Sequence, residues 1–576
     1  MSPLSDQSRE RVRTALLGEL AEQRYGVQLE SLTHNQVLVR AQDPGQLRRL
    51  AAFLRNDFDL VTVVADDERE LEDRSFKLYY VFSHSTADLF LVAEHVLGHR
   101  VVDYPSLYDS FNAVDSFERE ILDLFGLRPM VDGRQRVESG SWLHRAYPPE
   151  LFPLRRDRTL DELCLAVAEH QSRAGPPPPV IEASDHGLGS SLLSVGPVHA
   201  GVIEPGRFLF RIAGETVTDA EVRLGYTHRG IERLFQSHMC LLDGWRLAEQ
   251  VSGDSSFAHS LAYCHAVEVL TEAEVPEAAE LLRGLFLELE RIHNHVGDVA
   301  ALAEDIAMRR PAADLAVVRE RLLRLNAEVA GHRYLRRINR PGGIALAVPL
   351  DAAAIRRTLT DCLDRFTTVA RRVGRRAVFR DRTIGVGTLT IKQADILGVT
   401  GLAARASGAE RDYRLTHPTG IYGTPWLRAD PDPLRGNGAD AFAAEARSGD
   451  VYARFQTRVH EVRTAHRLAE RILDRWAMLP SREQDNLRTE PQPLSKNNYS
   501  FALGFAEGFR GDVVYWLMQD KIGGIYRCKV RDPSMLNWPG LLRSVLPVDQ
   551  PGRASFLSDF PLVNKSFNLS YAGNDL

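Results

Sequence analysis

Glu249-Gln-Val-Ser-Gly-Asp-Ser-Ser-Phe-Ala-His-Ser-Leu-Ala-Tyr, residues 249–263, and Tyr526-Arg-Cys-Lys-Val-Arg-Asp-Pro-Ser-Met-Leu-Asn-Trp, residues 526–538, are the two stretches on which the fold turns. In the first, a Ser-Gly-Asp-Ser-Ser loop runs directly into an apolar helical pattern. Ser and Asp oxygens accept bonds from the unpaired first amides of a helix, so the loop predicts a capped helix start. In the second, Asp532-Pro533 predicts another start, with Pro in the first turn, where a missing amide is tolerated. A well-capped helix accounts for each stretch taken alone.

Around them, helical spacing dominates. It predicts helices over 256–270, 276–308, 312–335, 352–373 and 451–476, each with an apolar stripe wide enough for a bundle core. Upstream lie short strand-like runs at Leu192–Val195, Arg207–Ile212 and Glu215–Thr218. Before those, residues 171–185 contain four prolines in a row, Pro176 to Pro179, a composition that favours a stiff extended spacer. The part ahead of the spacer is mixed. Residues 8–24, 87–97 and 116–125 have helical spacing, and runs from Val37, Leu60 and Leu78 read as strands. The expected architecture is α+β: a small N-terminal α/β domain over 1–168, a linker over 169–187, and a mainly helical domain over 188–576 that opens with a hairpin or small sheet.

The chain has 576 residues, with 71 Lys+Arg against 77 Asp+Glu, a formal net charge of −6. That balance offers no basic footprint for nucleic acid. No run of 18 or more apolar residues predicts a transmembrane helix, and charges interrupt the apolar stretch of the first twenty residues, unlike a signal peptide. Gly385-Val-Gly387 is too short to be a phosphate-cradling loop, so NADH binding by this chain is not expected. Five cysteines are scattered: Cys164, Cys240, Cys264, Cys362 and Cys528. They argue against a disulfide framework and against an iron–sulfur cluster held by this chain alone.

Together the two stretches resemble the metal-binding motifs of the NiFe hydrogenase large subunit, R-x-C-G-x-C near its start and D-P-C-x-x-C near its end. Here the four thiolate positions are Ser252, Ser255, Ser534 and Asn537. Hydroxyls and an amide are poor donors for soft transition metals, so no nickel–iron centre and no hydrogen turnover are expected. Further segments fall in family order. They include Gly196-Pro-Val-His, Gly225-Tyr-Thr-His-Arg-Gly, Glu288-Leu-Glu-Arg-Ile-His-Asn-His, Asn339-Arg-Pro-Gly-Gly, Ala404-Arg-Ala-Ser-Gly and Glu507-Gly-Phe-Arg-Gly-Asp. They resemble the energy-converting, formate hydrogenlyase or hydrogenase-4 branch, whose fold also serves as the 49-kDa (D) component of respiratory complex I. Phe117-Glu-Arg-Glu-Ile-Leu-Asp-Leu-Phe-Gly-Leu and Phe152-Pro-Leu-Arg-Arg-Asp resemble the 30-kDa (C) component of complex I.

The resemblance implies further positions. In complex I a Tyr and a His bind the quinone headgroup. The Tyr position is Gly253 here, a neighbouring Arg is Gln250, and the His region retains His199. His199, Asp254, Arg510 and Asp512 are the candidate catalytic residues of an acceptor cavity, with His199 and Asp254 as the expected proton donors. Asp532 lies at the second helix start. Glu232, Glu249 and Glu288 are candidates for a proton path, with surface or helix-pair roles equally open. His228, His293 and His295 have no second ligand at metal spacing and read as structural.

The implied function is a non-hydrogenase electron-transfer subunit of a membrane-associated, complex-I-like oxidoreductase. Electrons would pass from an iron–sulfur cluster in a partner small subunit to a quinone or similar acceptor, with ion translocation in membrane partners. A ferredoxin-like subunit is a further expected partner. The alternative is a catalytically silent subunit that links a partner module to an ion-translocating arm; a true hydrogenase is a third reading. The chain itself is expected to carry no cofactor, to lie on the cytoplasmic face of the inner membrane through its partners, and to escape the C-terminal processing of hydrogenases.

Overall fold

The computed structural model describes residues 6–21, 27–72, 74–137, 142–143, 147–148, 150–173, 189–199, 203–346, 348–428, 447–491, 499–546 and 556–576. Its architecture is α+β. The first part is built on a five-stranded sheet in the order Gln28–Ser31, Gln36–Ala41, Phe90–Leu97, Ser75–His84, Phe58–Glu68. All neighbours are antiparallel except Gln36–Ala41 and Phe90–Leu97. Helices Pro44–Leu54 and Val114–Phe125 flank it, the first capped by the Asp43 carboxylate and the second closed by Gly126 in the left-handed region.

One expected helix is a strand. The spacing over 87–97 suggested a helix, but Phe90–Leu97 joins the sheet. Both of its faces are covered. Leu91 and Ala93 enter the core of the first part, while Phe90 and Val92 enter a second apolar layer. A strand buried on both sides shows no alternation, so periodicity alone does not distinguish it from a buried helix.

That second layer joins the two parts of the chain. Leu38, Val64, Tyr79 and Val92 meet Leu503, Phe505, Val514, Trp516 and Met518 of a sheet near the C-terminal end. This antiparallel sheet, Phe501–Glu507, Asp512–Gln519 and Ile525–Arg531, is buried along nearly its whole length. Its opposite face lies against helix Ser256–Thr271. There Gly504 approaches so closely that a Cβ would stand 2.1 Å from the Ala262 carbonyl. Buried charges tie the same junction: Lys529 Nζ donates to Glu120 at 2.6 Å and Arg527 Nε donates to the Ala65 carbonyl at 2.9 Å.

The predicted bundle is present as Ser256–Thr271, Glu277–Asp305, Arg309–Ala330, Ala352–Arg375 and Val451–Met478. The 29-residue helix Glu277–Asp305 is buried on nearly all sides and forms the axis of the domain. A three-stranded sheet, Ser190–Val195, Arg207–Ala213 and Thr216–Arg223, precedes the bundle. Helix Leu160–Arg173 runs into the start of the expected linker, and the proline run lies outside the described residues. Among the described residues no helix is long and apolar enough to cross a membrane.

Candidate functional site

The two motifs begin two helices that meet in the centre of the larger part. Asp532 caps helix Pro533–Ser544 as its sequence suggests, its Oδ1 accepting from Ser534 N at 2.7 Å. The first helix is capped differently from the expectation. Ser255 makes no cap bond; the amides of Phe257 and Ala258 donate to the Glu290 carboxylate at 2.8 and 3.1 Å. Glu290 comes from the axial helix, so a contact distant in sequence does the work assigned to the loop. Burial pushes the Glu290 carboxyl up to about 8, against the pull of those two amides.

His259 joins the motifs. Its Nε2 lies 3.0 Å from Asp532 Oδ2 and its Nδ1 lies 3.0 Å from the Tyr515 hydroxyl, with all three side chains inaccessible to solvent or nearly so. Burial opposes ionisation of Asp532, yet bonds from His259 and the charge of Arg510 hold it below its ordinary range. Sequence reading missed His259 as a site residue. The available signal was its spacing, four residues after Ser255 on the inward face of the helix.

The four former thiolate positions are now a hydrogen-bonded core. Ser252, Ser255, Ser534 and Asn537 are 1, 4, 0 and 1% exposed. Ser252 Oγ donates to Asp254 Oδ1 at 3.1 Å and lies 3.0 Å from Ser570 Oγ. Ser570 N donates to Ser534 Oγ at 2.9 Å, and Asn537 Oδ1 accepts from Thr400 N at 2.9 Å. Neutral hard donors already engaged in this way do not fit a nickel–iron centre, and no group of metal-ligating side chains occurs among the described residues.

Ser570 belongs to the C-terminal segment, which lies between the motifs. Its short helix Tyr571–Asp575 is buried throughout. Gly573 sits where a Cβ would stand 2.6 Å from the Asp532 carboxylate, so only glycine fits this crossing. Asp575 accepts from Thr227 N at 2.9 Å, and His228 Nδ1 lies 2.7 Å from its carbonyl.

Arg510 crosses from the last sheet and donates to both Asp254 oxygens, at 2.7 and 2.6 Å, to Ser255 Oγ at 3.2 Å and to the Asn568 carbonyl. Burial disfavours the Asp254 charge, but this bidentate contact keeps the carboxyl below its ordinary range. Asp512 is held ionised in the same sense by Arg531 and accepts from the Thr400 hydroxyl. His199 stands apart from all of these. Its Nε2 lies 3.3 Å from the Tyr571 hydroxyl and its ring packs edge-on against Phe208. The structure therefore places Asp254 with Arg510, Asp512 with Arg531, and half-buried His199 with Tyr571. No hydrogen bond joins His199 to Asp254, the expected donor pair; the C-terminal segment stands between them.

Glu232, Glu249 and Glu288 are all buried, which excludes the surface role left open for them. Glu232 pairs with Arg527 and Lys529, Glu249 accepts from Arg337 N at 2.6 Å, and Glu288 binds Arg291, Arg414 and Tyr422. His293 bonds the Leu289 carbonyl, and burial pushes it down to about 4.

Comparison with known proteins agrees in both halves. Residues 41–162 match the sequence model of the respiratory-chain NADH dehydrogenase 30 kDa subunit, and residues 305–571 match that of the 49 kDa subunit. Formate hydrogenlyase subunit 5 of Escherichia coli is 29% identical over 90% of this chain and 84% of its own. Hydrogenase-4 component G of the same organism is 28% identical over 91% and 85%. The NADH-quinone oxidoreductase C/D polypeptide of Gluconacetobacter diazotrophicus is 27% identical over 85% and 84%. A chain of the archaeal membrane-bound sulfane sulfur reductase shares the fold, with a TM-score of 0.58, 24% identity, and coverage of 67% of this chain and 99% of that one. The chain thus carries a 30-kDa-type and a 49-kDa-type domain, related to those of complex I, in one polypeptide.

Proposed function

We propose that this chain is a non-hydrogenase electron-transfer subunit of a membrane-associated, complex-I-like oxidoreductase. It passes electrons from a partner iron–sulfur subunit to a quinone or similar acceptor, and ion translocation belongs to membrane partners. The observation that carries this reading is that all four thiolate positions are buried, hydrogen-bonded Ser and Asn, while the two motifs still begin helices that meet. That framework has no use for hydrogen chemistry, while the half-buried His199 and its Tyr571 partner offer a protonatable edge to an acceptor. The relative named as an NADH-quinone oxidoreductase supports the same class.

A second reading, a silent coupling subunit, is favoured by the C-terminal segment that fills the space between the motifs. One experiment separates the two. The complex is purified with wild-type, His199→Ala or Tyr571→Phe chain, and quinone reduction is assayed with and without a quinone-site inhibitor. Electron transfer predicts inhibitor-sensitive turnover that falls at least tenfold in the variants. Unchanged turnover in assembled variant complexes supports the silent reading. Metal analysis is expected to find no stoichiometric nickel.

A further inference from the structure

Away from the two motifs, around the axial helix, lies a dense set of buried charges. Arg291 binds Glu288 and Glu461; Arg405 binds Glu461, Glu507 and Asp412; Arg414 binds Glu288 and Asp412; Arg458 binds Asp298. Four guanidiniums thus face five carboxylates. Arginine does not give up its proton in a protein, and an uncompensated buried negative charge is costly. One further proton balances the set. Two members can hold it. His295 sits between Glu461, 2.9 Å from its Nε2, and Asp298, 3.9 Å from its Nδ1, with no hydrogen-bond partner at Nδ1. Glu507 is the other, and it also lines a narrow, partly open cleft.

We infer that this cluster is a proton-loading site, which takes one exchangeable proton from the cleft at Glu507. The bond formed is O–H on the Glu507 carboxyl, and the proton comes from solvent in the cleft. Each element packed against Glu507 contributes a charge: Arg405, Asp412, Arg291 from the axial helix, Glu461 through Arg405, and Asp512 from the next strand. His265, His417, Arg283, Glu280 and Arg414 line the cleft beside it. His295 is faced by Glu461 and Arg458 from the helix Val451–Met478 and by Asp298 from its own helix. Burial first, then Asp412 and Asp512, raise the Glu507 carboxyl to about 7 against Arg405 and Arg291.

Hydrogen bonds link the cluster to the two-motif site. Asn568 Nδ2 donates to Asp298 at 2.7 Å, and the Asn568 carbonyl accepts from Arg510, the partner of Asp254. This assignment holds whichever molecule accepts electrons, so its test is independent of the proposed function.

The test records infrared difference spectra of the full chain in its complex on either side of pH 7. Glu249 and Glu290 contribute carboxyl bands of their own, so the readout is wild type minus variant. E507Q is expected to remove one protonated-carboxyl band with a midpoint near 7. E461Q leaves four carboxylates for four guanidiniums and is expected to lower the midpoint of that band by about one pH unit or more. In L287W, which narrows the cleft wall, the band keeps its midpoint, but its shift after transfer to deuterated water slows at least tenfold. A band that persists in E507Q, or a midpoint unmoved in E461Q, overturns the loading site. An unslowed exchange in L287W overturns the cleft as its entrance.

Discussion

The two-motif site and the cluster beneath the cleft use the same side chains and differ in their arithmetic. Between the motifs charges are paired, Arg510 with Asp254 and Arg531 with Asp512; His259 is bonded to Asp532, and the raised Glu290 carboxyl is held by two amides at the edge of the site. The remaining positions are neutral hydroxyls and an amide, bound to a neighbouring hydroxyl or to backbone amides. Around the axial helix the count is four against five. A matched buried pair is locked, since changing either protonation state strands its partner. A site one charge out of balance has a proton to exchange near neutral pH. Fold family alone would not have assigned these opposite behaviours to the two regions.

The largest test of this contrast strands a partner deliberately. Asp512→Ala leaves Arg531, which is fully buried, without its carboxylate and is expected to cost about 3–5 kcal/mol in denaturant unfolding. A cost below about 1 kcal/mol would show the motif site to be less tightly matched than its geometry implies. Next, Ser570→Ala removes the hydroxyl between Ser252 and Gly573 N and is expected to cost about 1–3 kcal/mol by the same measurement.

On the unbalanced side the variable is pH. The folded Glu507 carboxyl titrates near 7 against an ordinary 4.5, so the folded chain holds that proton more tightly than the unfolded chain. Its contribution to stability is therefore present below 4.5 and is lost as pH rises to about 7. Subtracting the Glu507→Gln profile from wild type should isolate that slope, with little difference above neutral pH. The smallest expected effect is Ser252→Cys: one thiol in place of one hydroxyl changes stability by less than about 1 kcal/mol. Metal analysis of that variant should still find no stoichiometric nickel.

Much of this was legible in the residues. The five bundle helices, the hairpin strands at Arg207 and Thr216, and the Asp532 cap all follow from local pattern. The thiolate replacements are visible by inspection. What escaped is non-local. The strand Phe90–Leu97 is buried on both faces only because the C-terminal sheet covers it. The first helix takes its cap from Glu290, and His199 is separated from Asp254 by a segment more than three hundred residues away in sequence. Charge imbalance is likewise a property of side chains drawn from separate regions of the chain, and no window of sequence contains it.

The hydroxyl contact between Ser252 and Ser570 spans 318 residues. A contact of such separation forms only after most of the chain has been organised, because its loop must close before the bond contributes. Assembly of the motif site is therefore a late event in folding, downstream of the bundle that supplies its walls.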